Sequence, residues 1–279
     1  ARLRQRRTGM NPVTIVHGSG PIVLGLPHTG TFVPYSVASQ LNDNGLQLAD
    51  TDWHIDQLYD GLLDGVTTVK ANFHRYVIDA NRDPDGASLY PGQNTTTLVP
   101  LTDFDGREIW NTLPAEDDIK VLRAEFHAPY HAALKAELAR VKALHGIAIL
   151  YDCHSIRSNI PFLFDGTLPD FNIGTNDTTT CAPSIERQVE QICADLGDPR
   201  DPSYSHVTNG RFKGGWTTRH YGRPETSIHA IQMELAQSTY LTTESPPWDF
   251  DEDKATSLRH RLGQILMALD GLAPSLKVT

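Results

Sequence analysis

The sequence predicts an α/β fold in a single domain, with a mixed, mostly parallel central sheet and helices on both faces. Short apolar runs of strand length (21–26, 73–78, 146–150 and 227–235) alternate with longer stretches of helical spacing. That order is expected of strands joined by crossover helices. Each of these runs also ends in a polar cluster, where ligands gather at the carboxyl ends of parallel strands. No repeat or linker divides the 279 residues, so 13–279 reads as one unit behind a basic leader at 1–12.

The elements follow in order. Residues 21–26 form a first buried strand ending at Pro27-His28-Thr29-Gly30. Asp50-Thr51 cap a helix expected to start near Asp52 and to turn Trp53, Leu58 and Leu62 inward. The run 73–78 reads as a second strand, ending at Asp79-Ala80-Asn81-Arg82-Asp83. A stretch rich in Gly, Pro, Asn and Thr at 84–100 is expected to be a functional surface loop. From 115 to 145 the spacing of Ile119, Leu122, Phe126, Leu134, Leu138, Val141 and Leu144 is helical, with Pro129 restarting or kinking the helix. The run 146–150 is a buried strand leading into Asp152-Cys153-His154-Ser155. Residues 161–183 read as loop, 185–196 as helix, 227–235 as strand and 254–272 as a closing helix.

Composition narrows the function. Net charge is −10, which argues against nucleic acid and anionic membrane as partners. No window approaches the ~20 apolar residues of a membrane span. The basic leader is followed by no apolar stretch, so it reads as a disordered extension rather than a signal peptide. The three cysteines, Cys153, Cys181 and Cys193, lack metal-type spacing and point to a reduced, cytoplasmic protein.

The strand-end groups suggest a metal site. A hydrolytic zinc site needs three protein ligands, an open position for water and a carboxylate to take that water's proton. His28 and His154 fit as nitrogen ligands. Asp152, two residues before His154, can orient the ring by holding its other nitrogen. Glu234 fits as general base. Asp52 and Asp56, four apart, would share one helical face. Either could be the third ligand, with Asp52 favoured at the helix start and His54 expected at the surface. Arg82, Arg157 and Arg219 lie in loops beside this site. Guanidinium groups around a metal-bound water suggest a small anionic substrate.

Three strings resemble, in order, motifs of the zinc carboxypeptidase and aspartoacylase group: residues 76–82 (YVIDANR), 151–155 (YDCHS) and 232–235 (QMEL). Longer strings at 27–30, 50–54, 88–93, 154–158, 168–176 and 209–222 are similar to the N-formylglutamate amidohydrolase family, a likeness running over about 21–240. That resemblance implies a zinc-carboxypeptidase-like fold, a Zn2+ cofactor and hydrolysis of N-formyl-L-glutamate to formate and L-glutamate in a histidine-degradation route. It gives Asn81 and Arg82, with Arg157 and Arg219, the substrate carboxylates. His154 would bind zinc and Glu234 would be the base. His220 would donate to the tetrahedral oxyanion or brace its loop. Leu89, Tyr90 and Phe212 are candidates to shape a tight acyl pocket. One departure matters: the carboxypeptidase group has His-x-x-Glu at its first metal motif, whereas Thr31 follows His28 by three. Alternatives are a deacylase or carboxypeptidase for another N-acyl acidic amino acid, and a silent metal- or amino-acid-binding protein.

Overall fold

Val, Ile, Leu and Thr recur in the strands of the computed structural model, which describes residues 10–89, 92–195 and 202–277. They are β1 (Val13–Val16), β2 (Ile22–Leu26), β3 (Thr67–Ala71), β4 (Ala148–Ile156), β5 (Phe171–Gly174), β6 (His206–Thr208) and β7 (Ile228–Ala236). Helices are α1 (Tyr35–Ala38), α2 (Ile55–Tyr59), α3 (Glu116–Leu122), α4 (Ala128–His145), α5 (Pro183–Ala194), α6 (Trp216–Tyr221) and α7 (Glu252–Leu272). The strands form one seven-stranded sheet in the order β1-β3-β2-β4-β7-β5-β6. The centre, β3-β2-β4-β7, is parallel, while β1 and β5 run antiparallel to β3 and β7.

Both faces are covered. Val23, Leu150 and Ala230 pack against Tyr130, Leu134, Leu138 and Val141 of α4. Leu24, Ile149, Tyr151 and Ile231 pack on the other face, against Ile185 and Val189 of α5 and Leu258, Leu262 and Ile265 of α7. Each fully buried aliphatic side chain contributes ~1.5–3 kcal/mol, so these layers hold the centre of the sheet rigid.

The two longest strands carry the site. Along β4 the side chains on the α4 face are Ala148, Leu150, Asp152 and His154, and along β7 they are Ile228, Ala230, Gln232 and Glu234. Strand geometry makes this a period of two. The chemistry therefore changes from apolar to polar along both strands at Asp152 and Gln232. Registry pairs Asp152 with Gln232 and His154 with Glu234.

Several boundaries differ from expectation. Strand β3 lies at Thr67–Ala71, and 73–78 is a buried turn-rich segment continuing beyond it, with Phe73 bridging Phe32. A short, wholly buried apolar run cannot be told from a strand by periodicity. Residues 161–183 contain β5, whose four residues are all buried. The helix expected from Asp52 begins only at Ile55, because His54 has φ 57, a left-handed conformation that interrupts a helix. Asp52 thus sits on the loop before α2, and Asp52 and Asp56 share no helical face. His54 is half-buried rather than on the surface, its Nε2 2.8 Å from the Trp248 carbonyl oxygen. Residues 10–12, within the expected leader, are tied to Asn72 through the carbonyls of Asn11 and Pro12; residues 1–9 lie outside the described residues.

A π-helical turn at Arg123–His127 joins α3 to α4 just before Pro129, where the chain lacks the N–H that a regular helical turn would use. The turn aims two imidazoles at the segment after Asp79. His127 Nε2 lies 3.0 Å from the Arg82 carbonyl oxygen and His131 Nε2 2.7 Å from that of Ala80. His131 Nδ1 faces the Tyr221 hydroxyl at 3.0 Å. Burial pushes the His131 pKa down from 6.5 to about 3, so the ring stays neutral and donates to Ala80.

This predicts a sign for the pH dependence of stability. The unfolded chain takes up a proton at His131 near pH 6.5, and the folded chain only near pH 3. The stabilisation is therefore complete above 6.5 and declines as pH falls below it, by up to about 1.4 kcal/mol per pH unit. Melting temperatures measured from pH 7.5 to 4.5 should fall with acidification, less steeply for His131→Gln. Equal slopes for the two proteins would remove His131 from this account.

Candidate active site

Three side chains that can ligate a metal converge where β2, β4 and the loop before α2 meet. His28 follows β2, His154 is on β4, and Asp52 is anchored by its backbone N–H to the His28 carbonyl at 3.1 Å. One ligand-type atom from each lies within 4.8 Å of the others, and all three residues are buried. The imidazole centroids are 5.0 Å apart.

The rings are oriented by a second layer of carboxylates. His28 Nε2 is 2.7 Å from Asp79 Oδ1, and His154 Nε2 is 2.9 Å from Asp152 Oδ2. A carboxylate beside Nε2 keeps the proton on that nitrogen, so both Nδ1 atoms turn to the centre with a lone pair. There they face Asp52 Oδ2, at 3.7 Å from His28 and 3.3 Å from His154. His28 Nδ1 is buried and has no hydrogen-bond partner among the described residues. Asp52 Oδ1 accepts from Arg75 Nη2 at 2.7 Å, and its Oδ2 also accepts the Ser155 backbone N–H at 3.1 Å. Arg75 is itself buried, its guanidinium 5.0 Å from the Phe104 ring centroid.

The electrostatics call for a cation. Burial opposes ionisation of Asp52, but Arg75 and the two imidazoles hold its carboxyl well below the usual range. Burial likewise opposes Asp79, and Arg82 and His28 overcome it. Burial would depress His154, yet Asp152, Asp52 and Glu234 drive it well up. In physical terms a proton is being drawn to the place a metal ion would occupy. The orphaned Nδ1 of His28 and this excess of carboxylate both fit a bound divalent metal. Two imidazole nitrogens and one carboxylate oxygen suit a borderline-soft ion with room for a further ligand.

The cluster forms the floor of a cleft with about 640 Å3 of empty space, partly open to solvent. Its walls include Arg75, Asn81, Arg82, Phe104, Ile156, Leu163, Arg211, Phe212, Gln232 and Glu234. Burial pushes Glu234 up from 4.5 to about 7, with Asp52 adding to the rise and His154 opposing it. Asn81 receives the Thr217 backbone N–H on Oδ1 at 2.9 Å, which leaves its Nδ2 toward His154 at 3.3 Å. Arg82 is braced on Thr96 by Nε to the carbonyl (2.9 Å) and Nη2 to Oγ1 (2.8 Å). Arg211 reaches in from the segment before α6, with Nε on Leu163 O and Nη2 on Asn94 O, both at 3.1 Å.

Other residues singled out in the sequence sit elsewhere. Asp56 is half-exposed and turned to Lys70 at 2.9 Å, away from the cluster. Arg157 pairs with Asp105 at 3.0 Å and Arg219 donates to Gly214 O at 2.8 Å; neither lines the cleft. His220 is exposed and stacks on Trp216 at 4.2 Å, in keeping with a brace for its loop rather than an oxyanion donor. Phe212 lines the cleft, Leu89 lines an adjoining hollow behind Arg82, and Tyr90 lies outside the described residues. No role is read for Arg75, Arg211 or Gln232 in the sequence, although Gln232 opens the 232–235 string. Arg211 stands inside the 209–222 string, which was the available signal.

Comparison with known proteins finds likeness over most of the chain. A family model described as N-formylglutamate amidohydrolase matches residues 20–241. The chain is 44% identical over 255 residues to N-formylglutamate deformylase of Pseudomonas aeruginosa, covering 90% of this chain and 93% of that one. It is 44% identical over 264 residues to the deformylase of Pseudomonas putida, covering 93% and 96%. A crystal structure of N-formylglutamate amidohydrolase from Ralstonia eutropha superposes with a TM-score of 0.75 at 25% identity, covering 93% of this chain and 98% of that one. A protein from Agrobacterium tumefaciens shares the fold alone, with TM-score 0.71 at 14% identity over 94% and 96% of the two chains.

The site predicts an order of metal affinities, measurable by competition with a chelator. Asp52→Ala should weaken divalent-metal binding most, and Asp79→Asn and Asp152→Asn by ~10–100-fold through the misoriented imidazoles. Asp56→Ala should bind as the unaltered protein does. Equal losses for Asp52→Ala and Asp56→Ala would contradict the assignment.

Proposed function

The chain belongs to the N-formylglutamate amidohydrolase family, and from that premise we propose that it hydrolyses N-formyl-L-glutamate to formate and L-glutamate in the cleft above His28, Asp52 and His154. The observation that carries the reading is the meeting of three ligand-type atoms within 4.8 Å with Glu234 and two guanidinium groups, Arg82 and Arg211, in one cleft. A dicarboxylate substrate needs two cations, and a hydrolysed amide needs a base beside an activated water.

His28 and His154 through Nδ1, and Asp52 through Oδ2, would hold the ion, which we take to be Zn2+. Zinc would supply Lewis acidity toward the formyl carbonyl and a water whose pKa is lowered toward ~7. Glu234 takes the water proton as the C–O bond forms. It then returns that proton to the amide nitrogen as the C–N bond breaks and L-glutamate leaves. Arg82 and Arg211, with the Asn81 amide, pair with the substrate carboxylates and set the formyl carbon over the floor. Phe104, Ile156, Leu163 and Phe212 give the cleft an apolar wall that limits water. Arg211 takes the place expected for Arg157 and Arg219 beside Arg82, because it lines the cleft and they do not.

The three cysteines are buried and free, and among the described residues no helix is long and apolar enough to cross a membrane. We take the reducing cytoplasm as the setting and a small N-formyl amino acid as the partner.

Formate release from N-formyl-L-glutamate, N-acetyl-L-aspartate and a dipeptide, before and after chelation and zinc return, tests this reading. Selective deformylation restored by zinc is expected; zinc-restored cleavage of another substrate alone would move the specificity. Glu234→Gln should lose ~10²–10⁴ of kcat while keeping its metal, and turnover at the normal rate would refute the base. Arg82→Ala and Arg211→Ala should raise KM about tenfold or more, from the ~1.5–3 kcal/mol of a hydrogen bond to a charged group. The rate should rise with pH as Glu234 ionises. Its midpoint should fall between 4.5 and about 7, because a bound cation opposes the effect of burial.

A further inference from the structure

Gln232 is on the same face of β7 as Glu234, two residues away, and is 4% exposed. Its Oε1 accepts the Gly215 backbone N–H at 2.7 Å. Because that N–H can only donate, the orientation of the amide follows: Nε2 must point the other way. It points at Glu234 Oε2, 3.4 Å distant. We propose that Gln232 is a positioning residue for the hydrolysis, tying the Glu234 carboxylate to the loop that carries Arg211 and Phe212. The proposal rests on the reading of Glu234 as the base.

The surrounding structure brings this loop onto Gln232. Gly174 of β5 is the registry partner of Gln232, and a Cβ there would sit 2.5 Å from the Gly214 nitrogen. The absence of a side chain at 174 therefore lets the 213–215 backbone cross the strand directly over Gln232. Gly215 in turn leaves no room for a Cβ against the Asn81 side chain. The chain is stapled on both sides of that glycine, by Gly215 N–H to Gln232 and by Thr217 N–H to Asn81. Substrate drawn onto Arg211 thus engages a loop joined through one amide to the base. The 3.4 Å separation is long for a hydrogen bond, and such contacts tighten when the carboxylate is ionised and the substrate is in place.

The test compares Gln232→Glu and Gln232→Met with the unaltered enzyme and Glu234→Gln, measuring kcat and KM for N-formyl-L-glutamate and bound zinc. Gln232→Glu keeps an oxygen for the Gly215 N–H and loses the donor. Gln232→Met loses both without adding charge. Both should lower kcat roughly tenfold or more through misplacement of the base, with zinc content unchanged. KM should stay within about threefold in Gln232→Glu and rise further in Gln232→Met, whose loop is released. Normal kcat in Gln232→Glu would make Gln232 only an anchor for the loop, and a fall confined to Gln232→Glu would reflect the added charge; either overturns the proposal. Zinc loss in step with activity would overturn it as well. If Gln232→Met does not fold, the uncharged Gln232→Asn, too short to reach both Gly215 and Glu234, takes its place, and normal kcat in it overturns the proposal. Turnover by Glu234→Gln would defeat the base reading itself, whereas an inactive Glu234→Gln beside a normal Gln232→Glu would defeat this proposal alone.

Discussion

Asp79 and Asp152, each within hydrogen-bond distance of an imidazole Nε2, determine what the rest of the centre can be. With the ring protons held on the outer nitrogens, the inner Nδ1 atoms have only lone pairs to offer, and Asp52 Oδ2 faces them with more negative charge. The buried carboxylates of Asp52, Asp79 and Asp152 outnumber the guanidinium groups of Arg75 and Arg82 that face them. Burying such an imbalance costs several kcal/mol per uncompensated ion. A divalent cation at the shared point removes it. The same geometry that would be a defect in a core suits a metal ion.

The sheet supplies the rigidity this requires. Parallel registry between β4 and β7 fixes the His154–Glu234 pairing, and helices on both faces prevent either strand from slipping. His28 and Asp52 are then hung on loops whose backbone is linked by the Asp52 N–H. The segment carrying Asp79, Asn81 and Arg82 is held from the other side by His127 and His131 at the π-helical turn. The candidate ligands, base and carboxylate-binding groups are therefore set by different elements, each buttressed by its own hydrogen bonds. Such a shell keeps a site organised without its ligand.

Much of the centre was legible because it lies at strand ends. His28, His154 and Glu234 each follow or end an apolar run, and Asp152 announces itself by its place two residues before His154. The alternating central elements were legible for the same reason. What stayed hidden depends on distant parts of the chain. The short strands β1, β3, β5 and β6 carry weak local patterns, and their pairing partners are remote in sequence. Asp56 rather than Asp52 could not be excluded by spacing, since the left-handed turn at His54 that ends the argument is a backbone fact. Arg75 and Arg211 look like any other arginines until the fold carries them into the cleft. Arg157 and Arg219 stand in the 154–158 and 209–222 strings just as Arg211 stands in the latter, yet they end in contacts outside the cleft.

The account stands most directly on zinc-edge anomalous diffraction from crystals of the zinc-loaded protein. It predicts one peak within bonding distance of the Nδ1 atoms of His28 and His154 and of Asp52 Oδ2, with both Nε2 atoms still on Asp79 and Asp152. Zinc bound through either Nε2, or centred on Asp56 instead of Asp52, would contradict it.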